Sequence, residues 1–232
     1  LREYMSAMFF RDLVERYSIT NIPLLEALID RLFSSFSLKF SLTAFYKQYR
    51  DRFPFSKDLL FRYYKYFLQS MLVFEVRKFA ESTYVRMRNP AKLYLVDTGL
   101  SRRVSSADSG RLLENMIYME LRRRGCEVFY FEGKKECDFI AKNVDDRLFP
   151  IQACFDLNDG NKEREIGGLI EACKLLGADA GTIITYDEED ELTADGVKVE
   201  IFPAWKWAVY PETTPWRKQR WKTTGSRESL QK

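Results

Sequence analysis

Apolar positions in the first ninety residues recur mostly at helical spacing. In residues 3–16 (EYMSAMFFRDLVER), Tyr4, Met8, Arg11 and Glu15 share one stripe, and Met5, Phe9 and Asp12 share another. That spacing predicts a helix with a mixed face. Asn21-Ile22-Pro23 starts a second helix, with proline in its first turn and Leu24, Leu25, Leu28, Ile29, Leu32 and Phe33 apolar. Ser41 is the expected N-cap of a short helix over residues 44–50. Ser56 caps a longer one that turns Leu59, Leu60, Tyr63, Phe67 and Met71 inward. LVFEVRKF and YVRMR then alternate apolar with polar or basic residues, which predicts two half-buried strands. Helix, helix and two-stranded ribbon is the order of a winged helix. Residues 41–88 fit it, with 56–71 as the recognition helix and 76–88 as the wing.

From Lys92 the texture becomes α/β. KLYLVD reads as a strand, and residues 109–124 as an amphipathic helix closed by Gly125. EVFYF, ECDFIA and FPIQACF read as three consecutive strands. A helix over 165–176 follows, closed by Gly177. Then come the strand GTIITY, an acidic turn at 187–191 and a last strand, VKVEIF. Pro203-Ala204-Trp205-Lys206-Trp207 is expected to close the core. The expected division is a helical, winged-helix domain over 1–90, an α/β domain over 91–210, and a basic tail over 211–232. The tail is rich in Pro, Thr, Ser and charge, and is read as disordered.

Charge sharpens this division. The formal net charge of +3 splits into +6 over residues 1–90, −7 over 91–209 and +4 over 210–232. A basic front can hold phosphates, and its candidates are Lys57, Arg62, Lys65, Arg77, Lys78, Arg86 and Arg88. Double-stranded DNA is the partner they suggest, and a solvated basic face is the plainer reading. The aromatic-rich winged helix also suits docking to a partner protein or to a second copy. There is no histidine, which excludes Ser-His-Asp and Cys-His chemistry. Cys126, Cys137, Cys154 and Cys173 form no CxxC pair and read as reduced thiols of a cytoplasmic protein. No apolar run reaches membrane-spanning length. The opening LREYMSAMFF lacks an initiator Met and is already helical in pattern, so a longer protein is expected.

Helix, strand, strand, strand, helix, strand is also the order of the restriction-endonuclease-like core. Its chemistry needs a helix Glu, a strand Asp and a (Glu/Gln)-x-Lys pair converging on magnesium. The matching residues are Glu114 in GRLLENMIY, Asp138 in ECDFI, and Gln152 with Cys154 in PIQACFD. Residues two apart on a strand share a face. Gln152 therefore stands at the ligand position and Cys154 where the lysine belongs. Glu136 is placed to point the same way as Asp138.

Together with MFFRDLVERY, SKDLLFRYYKYFLQSMLVFEVRKF, NPAKLYLVDTGL and IFPAWKW, these segments resemble the C-terminal part of a family of archaeal and bacterial AAA-type ATPases. Their order carries the likeness over nearly the whole chain except the tail. The resemblance implies a P-loop motor, a winged-helix segment and a nuclease-like domain of unknown function. It also implies a regulatory, DNA-binding role for these residues. Because the lysine is missing, the nuclease-like site (Glu114, Asp138, Gln152) is expected to be degenerate. Magnesium is then held weakly by Glu114 and Asp138. No GxxxxGK[ST] segment occurs, so ATP binding is expected outside these 232 residues. An active metal-dependent nuclease and a protein-docking module are the alternatives.

Overall fold

The computed structural model describes residues 10–80, 82–103 and 108–209. The expected helix over 3–16 lies partly, and the tail wholly, outside the described residues. A single π-helical turn covers Phe10–Glu15. Three helices follow: α1 (Ile22–Ser34), then, after a short strand β1 (Lys39–Phe40), α2 (Leu42–Tyr49) and α3 (Lys57–Gln69). Their starts are set by side-chain caps. Asn21 accepts from Leu24 N, Ser41 from Ala44 N and Ser56 from Leu59 N. Each cap satisfies a first-turn N–H that lacks a helical partner. The apolar stripes meet in one core containing Leu24, Leu28, Phe33, Leu60 and Phe67. The Tyr63 hydroxyl accepts from Asn21 N at 3.0 Å, tying α3 to the start of α1.

The expected wing is not a ribbon. Strand β2 (Val73–Lys78) is followed by a short helix, α4 (Thr83–Arg88), and then by β3 (Ala91–Leu95). Alternation in YVRMR signals a strand only if one set of side chains is buried. Here Val85 and Met87 are both exposed, so no face selects an extended chain. β2 pairs instead with β3, antiparallel, with Val76 opposite Lys92. Strands from both sides of residue 90 therefore belong to one sheet.

The rest of the chain adds α5 (Ser109–Arg123), β4 (Glu127–Glu132), β5 (Glu136–Lys142), β6 (Leu148–Ala153), α6 (Lys162–Leu176), β7 (Ala180–Thr185), β8 (Asp190–Ala194), β9 (Val197–Pro203) and α7 (Ala204–Val209). The fold is α/β, built on a mixed sheet in the order β1-β3-β2-β4-β5-β6-β7-β9-β8. β8 extends from the acidic turn expected at 187–191, and its exposed polar residues suit an edge strand. One face packs under α5 and α7, where Ile117 and Leu121 meet Tyr94, Phe139 and Trp207. The other packs under α6, where Leu169 and Cys173 meet Cys137, Ile140 and Ile183. Gly168 lets α6 approach β5 closely, because a Cβ there would lie 1.9 Å from the Glu136 carbonyl oxygen.

β5 carries the irregularity that builds the site. Phe129 pairs with Ile140, but Phe131 pairs with Cys137. β4 thus advances two residues while β5 advances three, so Asp138 and Phe139 together oppose Tyr130. Such a bulge re-aims a side chain. It breaks the strict alternation directly after Asp138. The β5–β6 ladder ends at the pair Phe139–Ile151, and polar groups fill the space beyond it.

Candidate functional site

Glu114 on α5, Asp138 at the bulge and Glu136 at the start of β5 converge, as the sequence pattern anticipates. At their centre stands a residue the pattern does not mark. Lys92 Nζ lies 2.7 Å from Glu136 Oε1, 2.8 Å from Asp138 Oδ1 and 3.2 Å from Glu114 Oε1. Lys92 is buried in β3, whose five residues are all buried. Tyr94, two residues on and on the same face, donates its hydroxyl to Glu114 Oε1 at 2.6 Å. Asn115 fixes the strand itself: its side chain accepts from Leu95 N and donates to Leu95 O. Lys39 on β1 adds a second cation, reaching Glu132 at 2.6 Å and Glu136 at 3.0 Å.

Gln152 does not point at the acids as a free ligand. Its Oε1 accepts from Asp138 N at 3.1 Å and its Nε2 donates to Glu165 Oε2 at 2.5 Å. The second oxygen of Asp138 accepts from Ala153 N at 3.1 Å. Cys154 is buried against α6, and burial pushes its thiol up to about 12. It lines the same cleft as the acids but brings no positive charge to it.

Electrostatics follow from this packing. Burial and the Asp138 charge push Glu114 up to about 8, against the pull of Lys92 and the Tyr94 hydrogen bond. Burial works against the Lys92 charge, but Asp138, Glu114 and Glu136 outweigh it and hold Lys92 well above its ordinary range. Burial also opposes ionisation of Glu136, yet Lys92 and Lys39 keep it below the usual carboxylate range. The site opens into a cleft of about 1260 Å³ whose lining includes Arg111, Lys134, Lys135 and Arg164.

These residues do not fit the magnesium that the resemblance implies. Mg²⁺ requires about six oxygen ligands near 2.0–2.1 Å in octahedral geometry. Here an ammonium occupies the point where the carboxylates converge, and the Gln152 oxygen is engaged by a backbone N–H. Lys92 was detectable in one respect, as a lone charge in the otherwise apolar strand AKLYL, where a partner is required.

The candidate DNA-binding cations divide. Arg62, Lys65, Arg77 and Arg88 line one groove of about 700 Å³ between α3, β2 and α4. Arg62, Lys65 and Arg88 are exposed, whereas Arg77 is paired with Glu75, which also accepts from the Tyr64 hydroxyl. Lys57, Lys78 and Arg86 lie outside the groove lining. Lys57 sits over the Tyr46 ring, Lys78 lies 3.9 Å from Glu132, and Arg86 bonds Thr83.

Comparison with known proteins places the chain beside uncharacterized relatives. It is 35% identical over 222 residues to an uncharacterized protein of Methanocaldococcus jannaschii, covering 90% of this chain and 49% of that protein. It is 28% identical over 119 residues to an uncharacterized protein of Haemophilus influenzae, covering 50% of this chain and 30% of that protein. The chain thus spans half or less of the length of these relatives. No protein-family model and no solved structure matches it. Among the described residues, no helix is long and apolar enough to cross a membrane.

Proposed function

We propose that these residues form the C-terminal, DNA-binding regulatory region of a cytoplasmic AAA-type ATPase, with a nuclease-like cleft that does not cleave. The observation that carries the non-cleaving reading is the Lys92 ammonium among Glu114, Glu136 and Asp138, with Cys154 at the lysine position. The groove lined by Arg62, Lys65, Arg77 and Arg88 supports phosphate contact, since several cations share one concave surface. Motif order supports the ATPase assignment, and the motor belongs, in this reading, to another part of the protein. Gel shifts of duplex DNA over a salt series, in EDTA, test the binding. Binding that weakens steeply with salt is expected, and failure to bind any duplex at low salt overturns the reading.

A second reading, an active metal-dependent nuclease, is favoured by one observation: a lysine does stand beside the two acids, although it comes from β3. That reading requires cleavage that depends on Asp138.

A further inference from the structure

We infer that the Lys92 ammonium is the resident cation of the cleft, standing where a divalent ion would sit and closing the acid cluster to metals. This inference rests on the reading of the cleft as non-cleaving. The ammonium donates to Asp138 at 2.8 Å and to Glu114 at 3.2 Å and forms an ion pair with Glu136 at 2.7 Å, so three carboxylates surround it. The lysine is also anchored. Its backbone lies in β3 between two antiparallel neighbours, with Lys39 opposite on one side and Val76 on the other.

The acids are held towards Lys92 by groups of their own. Tyr94 and Lys92 share the same Glu114 oxygen, Ala153 N holds the outer oxygen of Asp138, and Lys39 holds the outer oxygen of Glu136. A metal entering this cluster would have to expel a cation whose stem is enclosed by the sheet. Only 4% of Lys92 is accessible, and its displacement would break three close ion contacts at once. Arg111, Lys134, Lys135 and Arg164 also line the cleft, but so do Asp108, Asp156 and Glu165, so the block to a divalent ion is Lys92 itself. The acids thus converge on a cation that the chain itself supplies, and among the described residues no set of three of them stands ready to hold a metal ion.

The test is titration of the whole chain with Mn²⁺, followed by calorimetry and by thermal melting. The wild type is expected to show no saturable binding at millimolar ion and no shift in melting temperature. Lys92→Met is expected to gain a saturable site, with affinity raised by about tenfold or more, and Mn²⁺-dependent stabilisation. Lys92→Met/Asp138→Asn is expected to lose both. Should Lys92→Met not fold, Lys92→Met/Glu114→Gln, with one carboxylate fewer, is read in its place. Saturable Mn²⁺ binding by the wild type that Asp138→Asn removes overturns the inference. So does a folded Lys92→Met protein, or its substitute, that binds no Mn²⁺. Gel shifts in EDTA on the wild type report the DNA reading separately, so failure of one does not imitate failure of the other.

Discussion

The cleft and the basic groove use charge in opposite ways. In the cleft, the buried Lys92, Glu114 and Asp138 and the half-buried Glu136 satisfy one another. In the groove, Arg62, Lys65 and Arg88 are exposed, and Arg77 is partly engaged with Glu75. Buried charge that is fully paired is costly to break and has little left to offer a ligand. Exposed charge contributes little to stability and is available to phosphates. Substitutions in the cleft should therefore be read out in folding, and those in the groove in binding.

The largest expected effect is in the cleft. Asp138→Ala removes one of the three carboxylates on Lys92, leaving Glu136 and Glu114, and should cost about 1–3 kcal/mol in denaturant unfolding. A cost under about 1 kcal/mol would mean that the network is solvated and the contrast false. Next comes the groove. The triple change Arg62→Ala, Lys65→Ala, Arg88→Ala should lower duplex affinity by about tenfold to a hundredfold at low salt. It should also make the salt slope shallower while leaving the unfolding midpoint nearly unchanged. Equal affinity of the triple variant and the wild type would move DNA contact elsewhere.

The pH dependence sharpens the cleft side. Glu114 holds its proton more tightly folded than unfolded, so its contribution is full below its ordinary value of 4.5 and is lost as pH rises through about 8. Glu114→Gln mimics the protonated acid and keeps an oxygen for Lys92 and Tyr94. It should flatten the stability profile between those values, where one linked proton contributes at most about 1.4 kcal/mol per pH unit. Unchanged slopes in wild type and variant would show that Glu114 is ionised in the fold. The smallest effect is at the start of α3. Ser56→Ala removes the cap of α3 and should cost about 1 kcal/mol.

Local signals made much of this legible. Capping side chains marked α1, α2 and α3, and the left-handed glycines Gly125 and Gly177 marked the ends of α5 and α6. Glu114 and Asp138 were readable because their strand and helix order is a pattern. Lys92 was not, since its partners lie 22 and 46 residues away and only sheet pairing brings them together. The bulge after Asp138 was equally hidden, because it is a property of two strands and not of one. The expected wing gives way to α4 for a related reason: residues 84–88 alternate, but Tyr84, Val85 and Met87 stay exposed among the described residues, so neither face is selected.

In the proposed reading, the acids of the cleft serve Lys92 and not a reaction. The most direct measurement is digestion of supercoiled plasmid by the wild type and by Asp138→Asn, with Mg²⁺ or Mn²⁺ in excess. The same background nicking is expected from both proteins. Cleavage by the wild type that disappears in Asp138→Asn would contradict that reading.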